Sequence, residues 1–450
     1  MRFVNAALFC LILPFNAATE AQTITMTMDE AKQAALAYNL NVLQADQNTN
    51  AAQAGVMAAY GGYLPSLSAA GSWGRYQSES GAIVQTTPGT SIVIPQGTTT
   101  NTTTNIGAGL NLSWTLFDGL SRQGQIGQAT SRSVATELTA VRTRQSIVFL
   151  TESNYLNVLR NEQLVKVSDE TLKRDNRQLE KITESNRVGA AALADVYRQQ
   201  STVANDELAL ITAQNTYDKS KADLVALMGL DVSRNYSFAD SSISLDISRG
   251  ELDSTSAKYT SFASLSERAI TSRPDYKGAR ESFDAAQSGV TIARSGYLPS
   301  LSATAGYNFS SDQFNTLNEN KNMNWGVSLR WTLFDGFQTN LSLQSAIANR
   351  RIAEIGLTQA ERDINAQLKK ALLDLEAARK QYEVSQKGLV SATEDSKIAE
   401  ERYNLGAGTL LDLLTANTNL VSAKANLVNA VYNYVTSKRN VEYTLGERTY

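Results

Sequence analysis

Two periodicities alternate along the chain. The longer stretches carry apolar residues at helical spacing, and four short stretches carry them at every second position. Leu413, Leu420, Leu427 and Tyr434 lie seven apart, and so do Leu414, Val421, Val428 and Val435. Two adjacent heptad columns describe a helix packed against neighbours on more than one side. From Gln128 to Val188 there is neither Gly nor Pro, and the stretch is rich in Ala, Leu, Glu, Gln and Arg, the residues that favour helix. The pattern predicts one helix over about 120–186, which at ~1.5 Å per residue would be ~100 Å long. Shorter helical segments are expected over 29–60 and 262–294. Each is closed by a Tyr-Leu-Pro (Tyr63-Leu64-Pro65, Tyr297-Leu298-Pro299), because proline disfavours helix in the residue before it.

The period-two stretches read as strands. Ile106, Ala108, Leu110, Leu112, Trp114 and Leu116 alternate with Gly107, Gly109, Asn111, Ser113 and Thr115. In a later stretch Leu301, Ala303, Ala305, Tyr307 and Phe309 alternate with Ser302, Thr304, Gly306, Asn308 and Ser310. In its companion Trp325, Val327, Leu329, Trp331 and Leu333 alternate with Gly326, Ser328, Arg330 and Thr332. Runs of about ten residues with one apolar face, one polar face and aromatics toward the ends suit transmembrane β-strands. Leu110, Leu112, Trp114, Tyr307, Phe309, Leu329 and Trp331 are the expected lipid-facing residues. Four strands are too few to close a barrel, and open edges in lipid cost several kcal/mol for each unsatisfied backbone group. The chain is therefore expected to oligomerise, and a dimer, trimer or tetramer would all satisfy this requirement. The loops over 77–105 and 312–324 are rich in Thr, Asn, Gly and Gln and read as extracellular.

The chain is one unit written twice. Fourteen of nineteen positions are identical between residues 51–69 (AAQAGVMAAYGGYLPSLSA) and 285–303 (AAQSGVTIARSGYLPSLSA), at an offset of 234. WTLFDG occurs at Trp114–Gly119 and again at Trp331–Gly336, and Gly189, Asp195 and Gly229 match Gly406, Asp412 and Gly446, all at an offset of 217. The difference of 17 is an insertion in the first loop. The first repeat covers 22–245, a polar linker 246–261 and the second repeat 262–450. Each repeat reads as helix, two strands, long helix, a break at glycine, and a last helix ending at Gly229 or Gly446.

Composition narrows the chemistry. With 41 Lys+Arg against 44 Asp+Glu, the net charge of −3 gives no general reason to bind nucleic acid. There is no His, and the single Cys is Cys10. Arg2, the apolar run Phe3–Phe15 and Thr19-Glu20-Ala21 fit an export signal over 1–21. Without imidazole or a mature thiol, most triads and metal sites are excluded. No P-loop is present and no paired acids stand outside helical surfaces, so the chain is expected to be no enzyme and to carry no cofactor and no metal.

The twice-repeated order of helix, Tyr-Leu-Pro, two strands, Phe-Asp-Gly, long helix, glycine turn and helix resembles the TolC family of outer-membrane efflux proteins. YLPSLSA, LSWTLFDG with LRWTLFDG, and RYNLGAGTLLDLLTANTNLVSAKANLVNAVYNYV at 402–435 carry the likeness. The resemblance implies a mixed α and transmembrane β fold. On that resemblance, each chain of a homotrimer would give four strands to a twelve-stranded outer-membrane barrel, which a helical barrel would continue through the periplasm. It implies outer-membrane lipid, a periplasmic adaptor (membrane fusion protein) and, through it, an inner-membrane pump as partners, in a tripartite efflux or type I secretion complex.

The resemblance also places a periplasmic entrance at the two helix–turn–helix tips. Asp195, Asp412 and Tyr403 are the gate or pore candidates; three copies of each Asp would repel one another and attract cations. Each Asp could equally serve as an N-terminal helix charge. Val188, Gly189, Leu405, Gly406 and Gly408 are the candidate adaptor contacts, or simple hairpin chemistry. Gly408 and Thr415 stand where some members carry a basic side chain and a second carboxylate, which argues against an elaborate salt-bridge lock. The function implied is a passive exit duct, the alternative a non-conducting, periplasm-spanning coiled-coil protein. The cargo is not written in the chain.

Overall fold

A computed structural model describes residues 24–80, 83–87, 90–94, 99–239 and 246–447. The expected export signal lies outside them. In chain order the elements are β1 (Ile24–Met26), α1 (Met28–Tyr38), α2 (Leu40–Gly61), β2 (Ser66–Ser80), β3 (Ile83–Thr87), β4 (Thr90–Ile94), β5 (Thr99–Phe117), α3 (Ser121–Arg187) and α4 (Leu193–Leu227). Then come β6 (Tyr236–Phe238), α5 (Arg249–Lys258), α6 (Phe262–Ser272), α7 (Pro274–Arg294), β7 (Ser300–Ser311), β8 (Lys321–Arg330), α8 (Gln338–Asn404) and α9 (Leu410–Leu445). The two long helices, α3 and α8, are 67 residues each. No helix among the described residues is long and apolar enough to cross a membrane.

Two compact units emerge. One is built from the described residues of 1–44, 143–272 and 364–450, the other from 45–142 and 273–363. In the first, Tyr155, Leu156 and Leu159 of α3 form a core with Ala31 and Ala35 of α1, Leu224 of α4 and Val428 of α9. The Tyr155 hydroxyl donates to the Met26 carbonyl at 2.9 Å, which ties the β1–β6 pair to this core. Both heptad columns of α9 are buried or half-buried. The polar stretch between the repeats carries a helix, α5, with Leu252 and Thr255 buried.

The second unit holds an antiparallel four-stranded sheet in the order β2-β5-β7-β8. The second strand of the first repeat thus pairs with the first strand of the second, leaving β2 and β8 as edges. Register places Ala69, Leu110, Tyr307 and Met323 side by side, and likewise Leu67, Leu112, Ala305 and Trp325. One apolar face therefore runs across all four strands. Asn111, Gly306 and Asn324 align on the opposite face. There the Asn308 amide donates to Asn324 at 3.3 Å and the Ser302 and Ser328 hydroxyls bond at 2.8 Å.

Several expectations need correction. The helical segments 29–60 and 262–294 are each broken in two. Asn39 is extended (ψ 126°), its amide donating to the Leu227 carbonyl at 2.7 Å and its side-chain oxygen accepting from Asn41 N–H. Arg273, its counterpart at the repeat offset, is extended at the same ψ because Pro274 follows it. The loop 77–105 is shorter than expected: β2 and β5 reach into it for 15 and 19 residues, and β3 and β4 form a hairpin between them. Trp331 and Leu333 lie beyond β8, which ends at Arg330.

The repeated motifs explain the strand-to-helix corner. The indole N–H of Trp114 donates to the Tyr63 carbonyl at 2.9 Å, and that of Trp331 to the Tyr297 carbonyl at 3.2 Å. WTLFDG thus holds its own repeat's Tyr-Leu-Pro. The Asp of each motif receives the first turn of the long helix: Asp118 accepts from Arg122 N–H at 3.0 Å, Asp335 from Thr339 N–H at 2.8 Å. The corner forces a left-handed pair, Gly119-Leu120 (φ 67° and 72°) and Gly336-Phe337 (φ 65° and 69°). A non-glycine residue at such φ is strained, so the caps must hold it.

In the first repeat Arg122 adds a clamp. Its guanidinium donates to Asp118 and to the carbonyls of Gly62, Thr115 and Leu116 at 2.7–3.3 Å, over the Tyr63 ring. Its counterpart Thr339 gives Asp335 only a hydroxyl and its N–H. Arg122→Ala should therefore cost roughly 3 kcal/mol, since buried acceptors and a carboxylate lose their donor. Thr339→Ala should cost about 1 kcal/mol. Urea unfolding in micelles reads both, and equal costs would refute the clamp.

Candidate functional site

Both hairpin tips lie in the first unit and use the same backbone chemistry. Where α3 ends, Gly189 takes φ 78°; its N–H donates to the Asn186 carbonyl, and Ala190 N–H to Ser185 at 2.8 Å. Where α8 ends, Gly406 takes φ 70°; its N–H donates to Tyr403, and Ala407 N–H to Arg402 at 2.8 Å. This is the Schellman closure, in which a left-handed residue satisfies the last helical carbonyls. A Cβ on Gly189 or Gly406 would meet nothing within 4 Å, so glycine is needed there for its φ alone. Gly408 differs: a Cβ would come within 3.2 Å of the Arg402 Cβ. Val188 and Leu405 stand exposed at the two apices.

The turns diverge where the next helix starts. Thr409 caps α9: its hydroxyl oxygen accepts from Asp412 N–H at 3.2 Å, while the Asp412 carboxylate accepts from the Thr409 N–H and hydroxyl at 3.1 and 2.8 Å. This reciprocal capping box holds the Asp412 carboxyl below the usual range, first through the Thr409 backbone bond. Ala192 occupies the same place before α4 and offers no side-chain cap. Asp195 instead receives Arg198 at 2.8 Å. Both Asp residues stand in the first turn of their helix, Asp412 as half of a capping box and Asp195 paired with Arg198.

A further neighbour of Asp195 is Tyr403. Burial, and then the charge of Asp195, push its hydroxyl above the usual phenol range. The tips pack against each other. Ile182, Val196, Leu410 and Leu413 form a small core against which Tyr403 packs, and the Lys181 ammonium donates to the Asn404 side chain. Lys181, Arg198, Asn404 and Thr409 were missed in sequence. Only Thr409 was readable, as Thr-x-x-Asp at a helix start. Among the described residues no group of three or more acidic, thiol or imidazole side chains could hold a metal ion.

Three turns from the first tip, α3 and α4 bring together a buried and a half-buried carboxyl, Asp175 and Asp206. Asp175 is 3% exposed and chelated by Arg174, and the buried Gln199 amide donates to the Asp175 carbonyl at 3.0 Å. Burial and the neighbouring Asp175 push Asp206 up to about 7, against a smaller opposing pull from Arg174. In the second repeat the same positions are Ala392, Ala416 and Ala423. The raised value means that the protonated pair's contribution to stability is complete below the unfolded-state value of 3.8 and is lost as pH rises through about 7. Asp206→Asn should raise the unfolding temperature at about pH 8 and leave it unchanged near pH 4. A variant tracking the parent at both would remove the pair as the cause.

Comparison with known proteins agrees with this architecture. The family model described as outer membrane efflux protein matches residues 31–230 and 265–447. The outer membrane protein TolC of Salmonella enteritidis is 25% identical over 352 residues, 75% of this chain and 68% of that protein. The probable efflux pump outer membrane protein TtgC of Pseudomonas putida is 25% identical over 343 residues, 73% and 66% respectively. The chain thus matches about two thirds of the length of these relatives. Among solved structures, the Campylobacter jejuni CmeC outer membrane channel superposes with a TM-score of 0.74 at 20% identity, covering 93% of this chain and 85% of that one. The Vibrio cholerae outer membrane protein VceC gives 0.74 at 20% identity, covering 93% and 96%. At such identity these likenesses speak for the fold. With the family model spanning most of its length, the chain belongs to the outer membrane efflux protein family, and its place is the cell outer membrane.

Proposed function

We propose that this chain is one third of a passive exit duct, a homotrimer in which three four-stranded sheets close as a twelve-stranded barrel and the helices continue it into the periplasm. The observation that carries this reading is the sheet itself. Its apolar face is continuous over four strands, with Leu110, Leu112, Trp114, Tyr307 and Leu329 exposed and Phe309 half-buried, and its two edges are unpaired. In lipid such a sheet is admissible only when closed. Trp331, just past β8, sits at the barrel rim in this reading, where aromatic girdles lie.

The tips are the periplasmic entrance. Asp195 and Asp412 form rings of carboxylates there, with Tyr403 beside them. The exposed Val188 and Leu405, with Gly189, Gly406 and Gly408, are the surface for a periplasmic adaptor, and through it for an inner-membrane pump. The duct itself supplies no energy. TtgC is named for an efflux pump, and we take efflux as the process this duct serves.

Conductance of the purified protein in planar bilayers tests the duct. The wild type should conduct, Asp195→Ala should lower cation over anion selectivity, and Asp412→Ala should in addition open more often, since the capping box of α9 loses its carboxylate half. A wild type that carries no current would end the duct reading. Unchanged selectivity in Asp195→Ala would take that residue out of the pore. On the lipid face, Leu329→Arg should cost ~2–4 kcal/mol if it lies near the midplane. Folding yield into vesicles measures this, and an undiminished yield would move Leu329 off the lipid.

A further inference from the structure

One space is packed solid in the first repeat and forms a cavity in the second. In the first repeat Tyr155 of α3 is fully buried, donates to the Met26 carbonyl and meets the Phe238 ring edge-on at 5.6 Å. Met28 and Leu159 complete that core. At the repeat offsets, Leu372 stands for Tyr155, Thr260 for Met26, Phe262 for Met28 and Glu376 for Leu159. A large ring has thus become a smaller side chain, and an apolar residue has become a charged one. All four counterparts line a cavity of about 450 Å³ between α5, the start of α6, α8 and α9. Sites for small molecules run from roughly 300 to 1,000 Å³.

The lining is unevenly satisfied. Tyr434 of α9 is 1% exposed, yet its hydroxyl has no hydrogen-bond partner among the described residues. Phenylalanine would fill the same place without burying an unmet polar group. Most charges of the lining are already engaged. Arg379 donates to Asp253 at 2.9 Å and to Glu383 at 3.1 Å, and Lys380 holds Glu376 at 2.6 Å. Lys369 differs. Its ammonium stands 5.9 Å over the Phe262 ring and makes no ion pair among the described residues; Glu376, which feels its charge, is held by Lys380. The two uncommitted polar groups lie at different depths, since Lys369 is exposed and Tyr434 is buried. Between these extremes the lining is apolar and aromatic, with Leu252, Tyr259 and Leu375 buried.

We propose that this cavity binds a small aromatic hydroxy acid. Its rings lie among Leu372, Tyr259 and Phe262, its carboxylate accepts from the Lys369 ammonium, and its hydroxyl oxygen accepts from Tyr434. A ligand with one polar end would leave one of the two groups unmet, and a neutral one would forgo the stronger, charge-assisted bond. The site lies apart from the sheet and from the helix tips, so it does not depend on the duct reading.

Equilibrium dialysis of the full chain in lipid nanodiscs against 6-hydroxy-2-naphthoate tests the site. Saturable binding of one molecule per chain is expected, with none to nanodiscs alone. Lys369→Gln should weaken it roughly tenfold, as a bond to a charged group is lost. Tyr434→Phe should weaken it several-fold while leaving the affinity for 2-naphthoate, which lacks the hydroxyl, as it is in the parent. A Tyr434 that served only the fold would move both affinities together, and that result overturns its contact. Leu372→Tyr should abolish binding without lowering the melting temperature, because it rebuilds the filling that Tyr155 provides in the first repeat. Absence of saturable binding overturns the inference. So does binding that Lys369→Gln leaves intact, a result that stands even where Leu372→Tyr fails to fold. Binding undiminished in a folded Leu372→Tyr places the probe elsewhere and overturns it as well.

Discussion

A backbone N–H or C=O that faces hydrocarbon without a partner costs several kcal/mol, and most of this structure can be read as an answer to that cost. Four strands satisfy one another internally but expose a donor–acceptor row along β2 and another along β8. Neither edge carries the protection common on soluble edge strands, such as a central proline or a covering helix. In β8 the outward positions are Met323, Trp325, Val327 and Leu329, side chains that water disfavours. In the closed-barrel reading proposed above, it is at these edges that copies of the chain meet.

The constraint reaches the helices through the corners. A strand leaving the sheet must turn sharply to begin a helix, and here it does so through two consecutive left-handed residues. Such a corner persists only if its surroundings over-determine it. The Trp indole fixes the incoming Tyr-Leu-Pro turn, and the Asp carboxylate seizes the first N–H groups of the long helix. One hexapeptide therefore carries three tasks, which accounts for its identity in two repeats that elsewhere have diverged. Arg122 strengthens the corner of the first repeat alone.

Much of this was legible in the chain because the physics involved is periodic. The long helices, the strand faces and the tip glycines follow from spacing, and the long helix expected over 120–186 ends within one residue of the observed Ser121–Arg187. The break at Asn39 was not legible: its signal is a single amide that bonds a carbonyl 188 residues away. Pro274 marked the equivalent break in the second repeat and could have revealed the first by alignment. The end of β8 was misplaced because Trp331 and Leu333 keep the alternation after the strand has stopped. At the tips, equal spacing made Asp195 and Asp412 look alike. Their difference lies three residues earlier, in Ala192 against Thr409.

Duplication lets the chain serve as its own control. Where the two repeats share residues, as at Trp-Thr-Leu-Phe-Asp-Gly or Tyr-Leu-Pro, both copies face the same mechanical demand. Where only one repeat changes, the symmetry is broken locally. The carboxyl pair Asp175–Asp206 against Ala392 and Ala423 is such a place, and so is the uncapped start of α4. Both weaken the same hairpin. A carboxyl pair whose stabilising proton is lost as pH rises through about 7 holds α3 to α4 less firmly above it, and a helix without a side-chain N-cap frays more readily. The hairpin of the second repeat, with alanine packing and a capping box, has neither weakness. The two hairpins, alike in backbone, therefore differ in what holds them.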